Sequence, residues 1–236
     1  MGEGEITRDF LVIASSAKKK GSCLACIDLG SYEFVRPVPY PGGGKWSFSP
    51  QMFSVLDILE IPVIGKCESK YQPENYFVQN NSYWRRKGRL TYEDFLKIFA
   101  KVMEGRTNPL LSRLGYLKIS EVESLIAQGS FSSIDMVKVD HAFFFIREEE
   151  TSEGIKPRLW IEFRKGMVDY QYKVTQPLDS RIWREMCSKF YKEGECKVQL
   201  PGNVVLTLTG ARYGEYFDVF VSGIVMESKL EEFVNF

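Results

Sequence analysis

Phe10-Leu11-Val12-Ile13-Ala14 is followed by the polar turn Lys18-Lys19-Lys20-Gly21, by an apolar run from Cys23 to Leu29, by Gly30-Ser31, and by Tyr32-Glu33-Phe34-Val35-Arg36-Pro37-Val38. Short runs of β-branched and aromatic residues, punctuated by Gly, Ser and Lys, read as a meander of antiparallel strands. Four of the ten prolines and Gly42-Gly43-Gly44 lie between Pro37 and Pro50, which marks an exposed loop. Val55 to Val63 returns to strand, with Asp57 and Glu60 interrupting the apolar positions.

The middle of the chain changes character. Thr91 is placed to cap a helix whose first turn carries Glu93 and Asp94, where carboxylates favour the positive end of the dipole. Phe95, Ile98, Phe99 and Val102 recur at helical spacing and face a core. A second helix is expected from Ile119 to Gln128, capped by Ser120, with Val122, Leu125 and Ile126 inward. The chain then turns β again. Met136 to Arg147 is β-rich, and Leu159 to Phe163 and Tyr170 to Val174 form a hairpin around Gly166. Arg181 to Tyr191 reads as a short helix, capped by Asp179 or Ser180. Val204 to Thr209 and Tyr216 to Val225 form a closing hairpin. The fold class is mainly β with helical insertions. Two small barrels are expected, over residues 1–129 and 130–236, although periodicity alone does not separate barrel, sandwich and α+β sheet.

Composition sets limits on function. The 236 residues carry 31 Lys+Arg against 31 Asp+Glu, with 44% hydrophobic and 14% aromatic residues, so a real core forms and disorder is excluded as the main state. Residues 1–129 hold 17 cationic against 14 acidic side chains, and residues 130–236 hold 14 against 17, so a basic half precedes an acidic one. No apolar run approaches the ~20 residues that cross a bilayer. Met1-Gly2-Glu3-Gly4-Glu5 has no apolar h-region, and five cysteines are too sparse for a disulfide scaffold, so a cytoplasmic location and no membrane partner are expected.

Most familiar catalytic signatures fail on inspection. Cys23-Leu24-Ala25-Cys26 has no second pair and only His141 as imidazole, and it sits in a strand, where positions three apart face opposite ways. Gly42-Gly43-Gly44-Lys45 is followed by Trp46 and flanked by prolines, unlike a phosphate loop running into a helix. No nucleophile, metal set or acid–base pair stands at a recognised spacing, so no enzyme, metal or cofactor is expected. The stronger signal is Tyr83-Trp84-Arg85-Arg86-Lys87-Gly88-Arg89, four cations beside two large rings, together with Lys18, Lys19 and Lys20. Cations pair with phosphates and exposed bases stack on rings. The bland alternative is a solvated charge run with Trp84 in the core.

The order of several short segments resembles the bacterial dual OB-domain-containing proteins. Ile13-Ala14-Ser15-Ser16-Ala17-Lys18 followed by Gly21-Ser22-Cys23 is similar to the family's opening strand and turn. Phe34-Val35-Arg36-Pro37-Val38, Val55 to Pro62, Gln72-Pro73-Glu74-Asn75-Tyr76 and Gly88-Arg89-Leu90-Thr91 match further motifs. Val174-Thr175-Gln176-Pro177 and the closing strand match more loosely. Ser15, Ala17 and Ser22 depart from the family's pattern, removing two cations there. The resemblance implies two OB-type barrels in tandem and, by fold analogy, a nucleic-acid or nucleotide partner, in a setting of bacterial defence or mobile elements.

Three functional readings follow. In the first, a non-enzymatic protein contacts single-stranded nucleic acid through Lys18, Lys19, Lys20, Arg36, Tyr83, Trp84, Arg85, Arg86, Lys87 and Arg89. In the second, Arg36, Gln72, Glu74 and Asn75 form a pocket for a small nucleotide. In the third, the acidic second barrel binds a protein partner. Arg36 carries an alternative: it pairs with Glu74 as an internal clamp, since buried charges are normally paired.

Overall fold

A computed structural model describes residues 6–18, 21–41, 53–79, 83–152, 154–175, 180–200 and 202–227. The opening meander forms β1 (Ile6–Lys18), β2 (Gly21–Asp28) and β3 (Phe34–Pro39), followed by β4 (Asp57–Lys66) and β5 (Asn75–Val78). β2 pairs antiparallel with β1 and β3, β3 runs parallel to β5, and β5 and β1 both pair antiparallel with β4. The order 1-2-3-5-4 therefore closes on itself. Closure depends on the length of β1. Its residues Ile6 to Leu11 pair with β4, while Phe10 to Lys18 pair with β2, and the register shifts between Val12 and Ala14. Such a bulge bends a strand and increases its twist, which lets one strand serve both partners. A sixth strand, β6 (Arg85–Arg89), lies outside the ring against β4.

Helix α1 (Tyr92–Met103) follows, and Thr91 caps it by accepting from the Asp94 amide, as expected. Phe95 and Val102 are buried, and Ile98 and Phe99 pack beside them. Next come β7 (Tyr116–Lys118) and α2 (Ile119–Ala127). The expected cap Ser120 is corrected to Lys118: helical geometry begins at Ile119, and the Lys118 amide donates to Glu121 Oε2 at 2.8 Å. Val122 is buried, and Ile126 packs against the same cluster. Both elements precede residue 130, yet β7 pairs with the last strand of the second sheet.

The second sheet contains β8 (Ile134–Val139), β9 (His141–Thr151), β10 (Gly154–Lys165), β11 (Val168–Val174), β12 (Lys197–Gln199), β13 (Val204–Tyr213) and β14 (Tyr216–Val225), with α3 (Ser180–Glu193) before β12. The single run expected from Met136 to Arg147 is thus two strands separated by Asp140 alone. β8 pairs with β13 and β9 with β10, so the two together take the place that β1 holds in the first ring. β11 pairs antiparallel with β10 and parallel with β14, and β14 with β13, repeating the first order. Both sheets are OB-type, and the expectation of a mainly β chain with two such units is met. Asp179 lies outside the described residues, as do positions 42–50 of the proline-rich loop.

Three apolar clusters hold these parts. Phe10, Val12, Leu24, Cys26, Val35, Leu59 and Ile61 fill the first barrel. Phe144, Ile161, Phe163, Tyr172, Leu206 and Phe217 are among those filling the second. The third cluster lies between the barrels and includes Leu11, Ile13, Ala25, Ile27 and Phe34 of the first unit, Phe95 and Val102 of α1, and Ile134, Met136, Val205 and Val225 of the second.

Candidate nucleic-acid interface

Alternation along β2 shows how the first barrel uses its surface. Leu24 and Cys26 point into the barrel, so Ala25 and Ile27 point out, yet both are at most 2% exposed. On an OB barrel this outer face of the strands, with the loops beside it, is the usual ligand surface. Here it is apolar and covered by α1 and the second barrel.

Polar contacts fix that arrangement. Thr207 Oγ1 donates to the Ile13 carbonyl at 2.9 Å, and Gly223 packs directly on that carbonyl. Tyr92 of α1 donates to the Asn203 carbonyl. Arg212 Nη1 donates to the Tyr71 hydroxyl at 3.1 Å, and Lys70 pairs with Glu123 at 2.6 Å. Arg36 and Glu74, each 8% exposed, meet at Ser133. Arg36 Nη2 donates to Ser133 Oγ at 3.1 Å and contacts its carbonyl at 3.4 Å. Glu74 accepts from the Ser133 amide at 2.6 Å and from its hydroxyl at 2.7 Å. Burial lowers the pKa of the Arg36 guanidinium, and the charge of Glu74 opposes that shift. Arg36 and Glu74 thus clamp the segment entering β8, a longer-range version of the internal pairing considered from sequence.

The corresponding face of the second barrel carries different residues. Ala142, Phe144 and Ile146 are buried inward, leaving Phe143, Phe145 and Arg147 on the outer side of β9. By the same alternation Arg158, Trp160 and Glu162 face outward on β10, and Gln171 and Lys173 on β11. The register aligns Trp160 with Phe145 and Lys173, and Glu162 with Phe143 and Gln171. The Trp160 and Phe145 rings stack with centroids 6.3 Å apart. The Arg147 guanidinium lies 4.8 Å from the Trp160 centroid and 5.4 Å from that of Phe145, and Lys173 lies 5.5 Å from Trp160. Lys197 of β12 sits 4.6 Å from the Phe143 centroid. The result is a half-buried aromatic strip edged by cations.

The residues singled out by sequence are distributed differently. Lys18 ends β1, and Lys19 and Lys20 lie outside the described residues. Trp84 is buried, stacked on Phe53 at 5.7 Å, and donates to the Gln79 carbonyl at 3.0 Å, so the stacking role expected for it is corrected: it belongs to the first barrel's core. Tyr83 is 68% exposed. The four cations of β6 are exposed but ion-paired with acids of neighbouring strands. Arg85 meets Glu60 at 2.9 Å, Lys87 meets Asp9 at 2.8 Å, and Arg86 and Arg89 approach Asp57 at 2.7 and 3.7 Å. Gln72 Oε1 accepts from Asn75 Nδ2 at 3.3 Å, and Asn75 is buried beside the Arg36 clamp.

The aromatic strip escaped the sequence reading because its members come from four strands. A signal was present: Phe143-Phe144-Phe145 puts rings on both faces of its strand, and Trp160 falls outward between inward Leu159 and Ile161. Cys23 and Cys26 are unpaired, and burial pushes the Cys26 thiol far above its ordinary pKa. Among the described residues no three or more His, Cys, Asp or Glu gather as metal ligands, and no helix is long and apolar enough to cross a membrane.

No curated protein matches the chain in sequence. Among solved structures, a replication protein A heterotrimer bound to ssDNA aligns with 98% of this chain and 50% of its own, at 11% identity and a TM-score of 0.39. The chain thus spans half the length of that structure's chain. A tetrameric HIN2 crystal structure aligns over 95% and 96%, at 8% identity and a TM-score of 0.28. The family comparison is firmer, matching the dual OB-containing domain over residues 8–208, from β1 to the middle of β13. With the first barrel and most of the second inside that match, the chain belongs to the dual OB-containing domain family.

Proposed function

We propose that this chain is a non-enzymatic protein that binds single-stranded nucleic acid through the outer face of β9, β10 and β11. The observation that carries the reading is the pair of stacked rings, Trp160 and Phe145, set beneath Arg147 and beside Lys173. Single strands expose their bases, and such bases stack on aromatic platforms while cations track the backbone. A base reaching Trp160 displaces the Arg147 guanidinium from the ring, and the freed cation pairs with a phosphate. Arg158 and Lys197 lie on the same face to extend that track. Lys18, Lys19 and Lys20 are further phosphate contacts in this reading.

The test is fluorescence anisotropy of labelled DNA and RNA oligonucleotides, titrated at low and raised salt. Micromolar or tighter binding that weakens with salt is expected. Trp160→Ala should cost about 1–3 kcal/mol, the range for one stacked base. Lys173→Ala should make the log–log salt dependence shallower by about 0.7, the contribution of one phosphate contact on a single strand. Failure of every oligonucleotide to bind at low salt, or unchanged affinity in Trp160→Ala, refutes the proposal.

A further inference from the structure

A carboxylate stands in the middle of the aromatic strip, where a surface built only for phosphates would have none. Glu162 follows Trp160 by two residues and shares its outward side of β10, with Phe143 opposite on β9 and Gln171 opposite on β11. It is held from both sides. Lys197 Nζ donates to Oε1 at 2.9 Å, and Gln171 Nε2 donates to Oε2 at 2.7 Å. Gln171 is itself oriented by Arg147, whose Nη2 donates to its Oε1 at 3.3 Å. We propose that Glu162 makes this face selective for guanine over thymine or uracil, a specificity that rests on the single-strand reading above.

The argument is one of donor and acceptor order. Each carboxylate oxygen carries two lone pairs and here uses one of them, so both oxygens retain an acceptor position. The Glu162 side chain is 30% exposed, which leaves it accessible from solvent. In unpaired strands, proteins read the Watson–Crick edge of splayed bases. Guanine presents N1–H and N2–H side by side on that edge, matching the two oxygens, with its O6 next to them. Lys197 has three donors and gives one to Glu162, so another is free to reach O6. Cytosine and adenine present an amino group without an adjacent ring N–H and form one bond where guanine forms two. Thymine and uracil present a single N–H between two carbonyls, which the carboxylate repels. The hydrogen bonds from Lys197 and Gln171 hold the Glu162 carboxyl below its ordinary pKa, so it remains an acceptor at neutral pH.

The experiment compares an oligothymidylate with the same strand carrying guanines at spaced positions, and with inosines at those positions. Inosine keeps N1–H and O6 but lacks the N2 amino group. The guanine strand should bind about tenfold more tightly than the thymidylate, within the discrimination of one well-placed side chain–base pairing. The inosine strand should fall between them. Glu162→Gln should abolish the guanine preference while binding oligothymidylate at least as tightly as wild type, because a negative charge leaves the face. Base-indifferent binding, or a guanine preference that survives Glu162→Gln, overturns the role of Glu162 and leaves single-strand binding intact. Absence of binding to any of the three strands removes both.

Discussion

Gly223→Ala tests whether the first barrel's outer face is a docking surface for the second. A Cβ built at Gly223 lies 1.9 Å from the Ile13 carbonyl oxygen and 2.9 Å from its carbon, with Thr207 Oγ1 at 3.0 Å. The obstructing atoms are backbone of β1, which has no rotamer to adopt. Relief therefore requires the two barrels to part by about 1.5 Å, enough to restore ordinary van der Waals contact. That movement overpacks or opens the apolar layer around Ile13, Ala25 and Val225, at about 1–3 kcal/mol. It also stretches the Thr207–Ile13 hydrogen bond beyond bonding distance, at about 1 kcal/mol. Alanine reduces the entropy of the unfolded chain and returns about 0.5 kcal/mol. The net loss is about 2.5 kcal/mol, or about 5–10 °C in Tm for a chain of this size. Gly65→Ala is the control, because a Cβ there meets nothing within 4 Å. Thermal melts followed by circular dichroism measure both. A Gly223→Ala protein melting within about 2 °C of wild type, a range typical of neutral surface changes, refutes the docked-face account.

Further predictions address the clamp, the buried acid and the two tryptophans. Ser133→Ala removes the hydroxyl shared by Arg36 and Glu74 and should cost about 2 kcal/mol in urea unfolding. Glu74→Ala leaves the Arg36 charge buried without its partner and should cost more, about 3–5 kcal/mol. Desolvation by burial raises the Asp135 carboxyl from 3.8 to about 6, against hydrogen bonds from Asn108 and the Met136 amide. Between those values the folded state binds more protons than the unfolded, so stability falls as pH rises and levels off above about 6. The total is about 3 kcal/mol, and Asp135→Asn should flatten the profile when urea melts are compared across that window. Trp84→Ala should lower stability by about 3–5 kcal/mol, as expected for a buried ring. Trp160→Ala should mainly weaken oligonucleotide binding, and calorimetric melts beside anisotropy titrations separate the two.

Much of the architecture was legible because alternation and capping are local. The strands around Val12, Ile27, Val35 and Ile58 and the helix capped by Thr91 follow from residues within a few positions of each other. Closure of the first ring was not, because it depends on β1 pairing with two strands at once, through a bulge that leaves no local mark in composition. Ser120 is a good capping residue by type, but β7 carries the chain straight into α2, so the cap falls at Lys118. By sequence Trp84 reads as available because Arg85, Arg86 and Lys87 follow it. In the fold those cations turn toward Asp57, Glu60 and Asp9, while the ring turns inward onto Phe53.

Net charge by halves does not locate a ligand face. Net charge over a hundred residues averages both faces of every strand, whereas a ligand meets one. In the basic half the cations of β6 are matched by acids on adjoining strands, and the outer face of β2 and β3 is apolar and covered. In the acidic half Arg147, Lys173 and Lys197 lie against the rings of Trp160 and Phe143, and Lys173 and Lys197 pair in turn with Glu149 and Glu162, each at 2.9 Å. The two barrels share a strand order but differ in what the corresponding face carries. One has a face of small and branched side chains that a second domain can cover. The other keeps rings and cations on the corresponding face, where the rings stay half-buried. The readable trace is in the outward residues of each second strand, Ala25 and Ile27 in one barrel, Trp160 and Glu162 in the other.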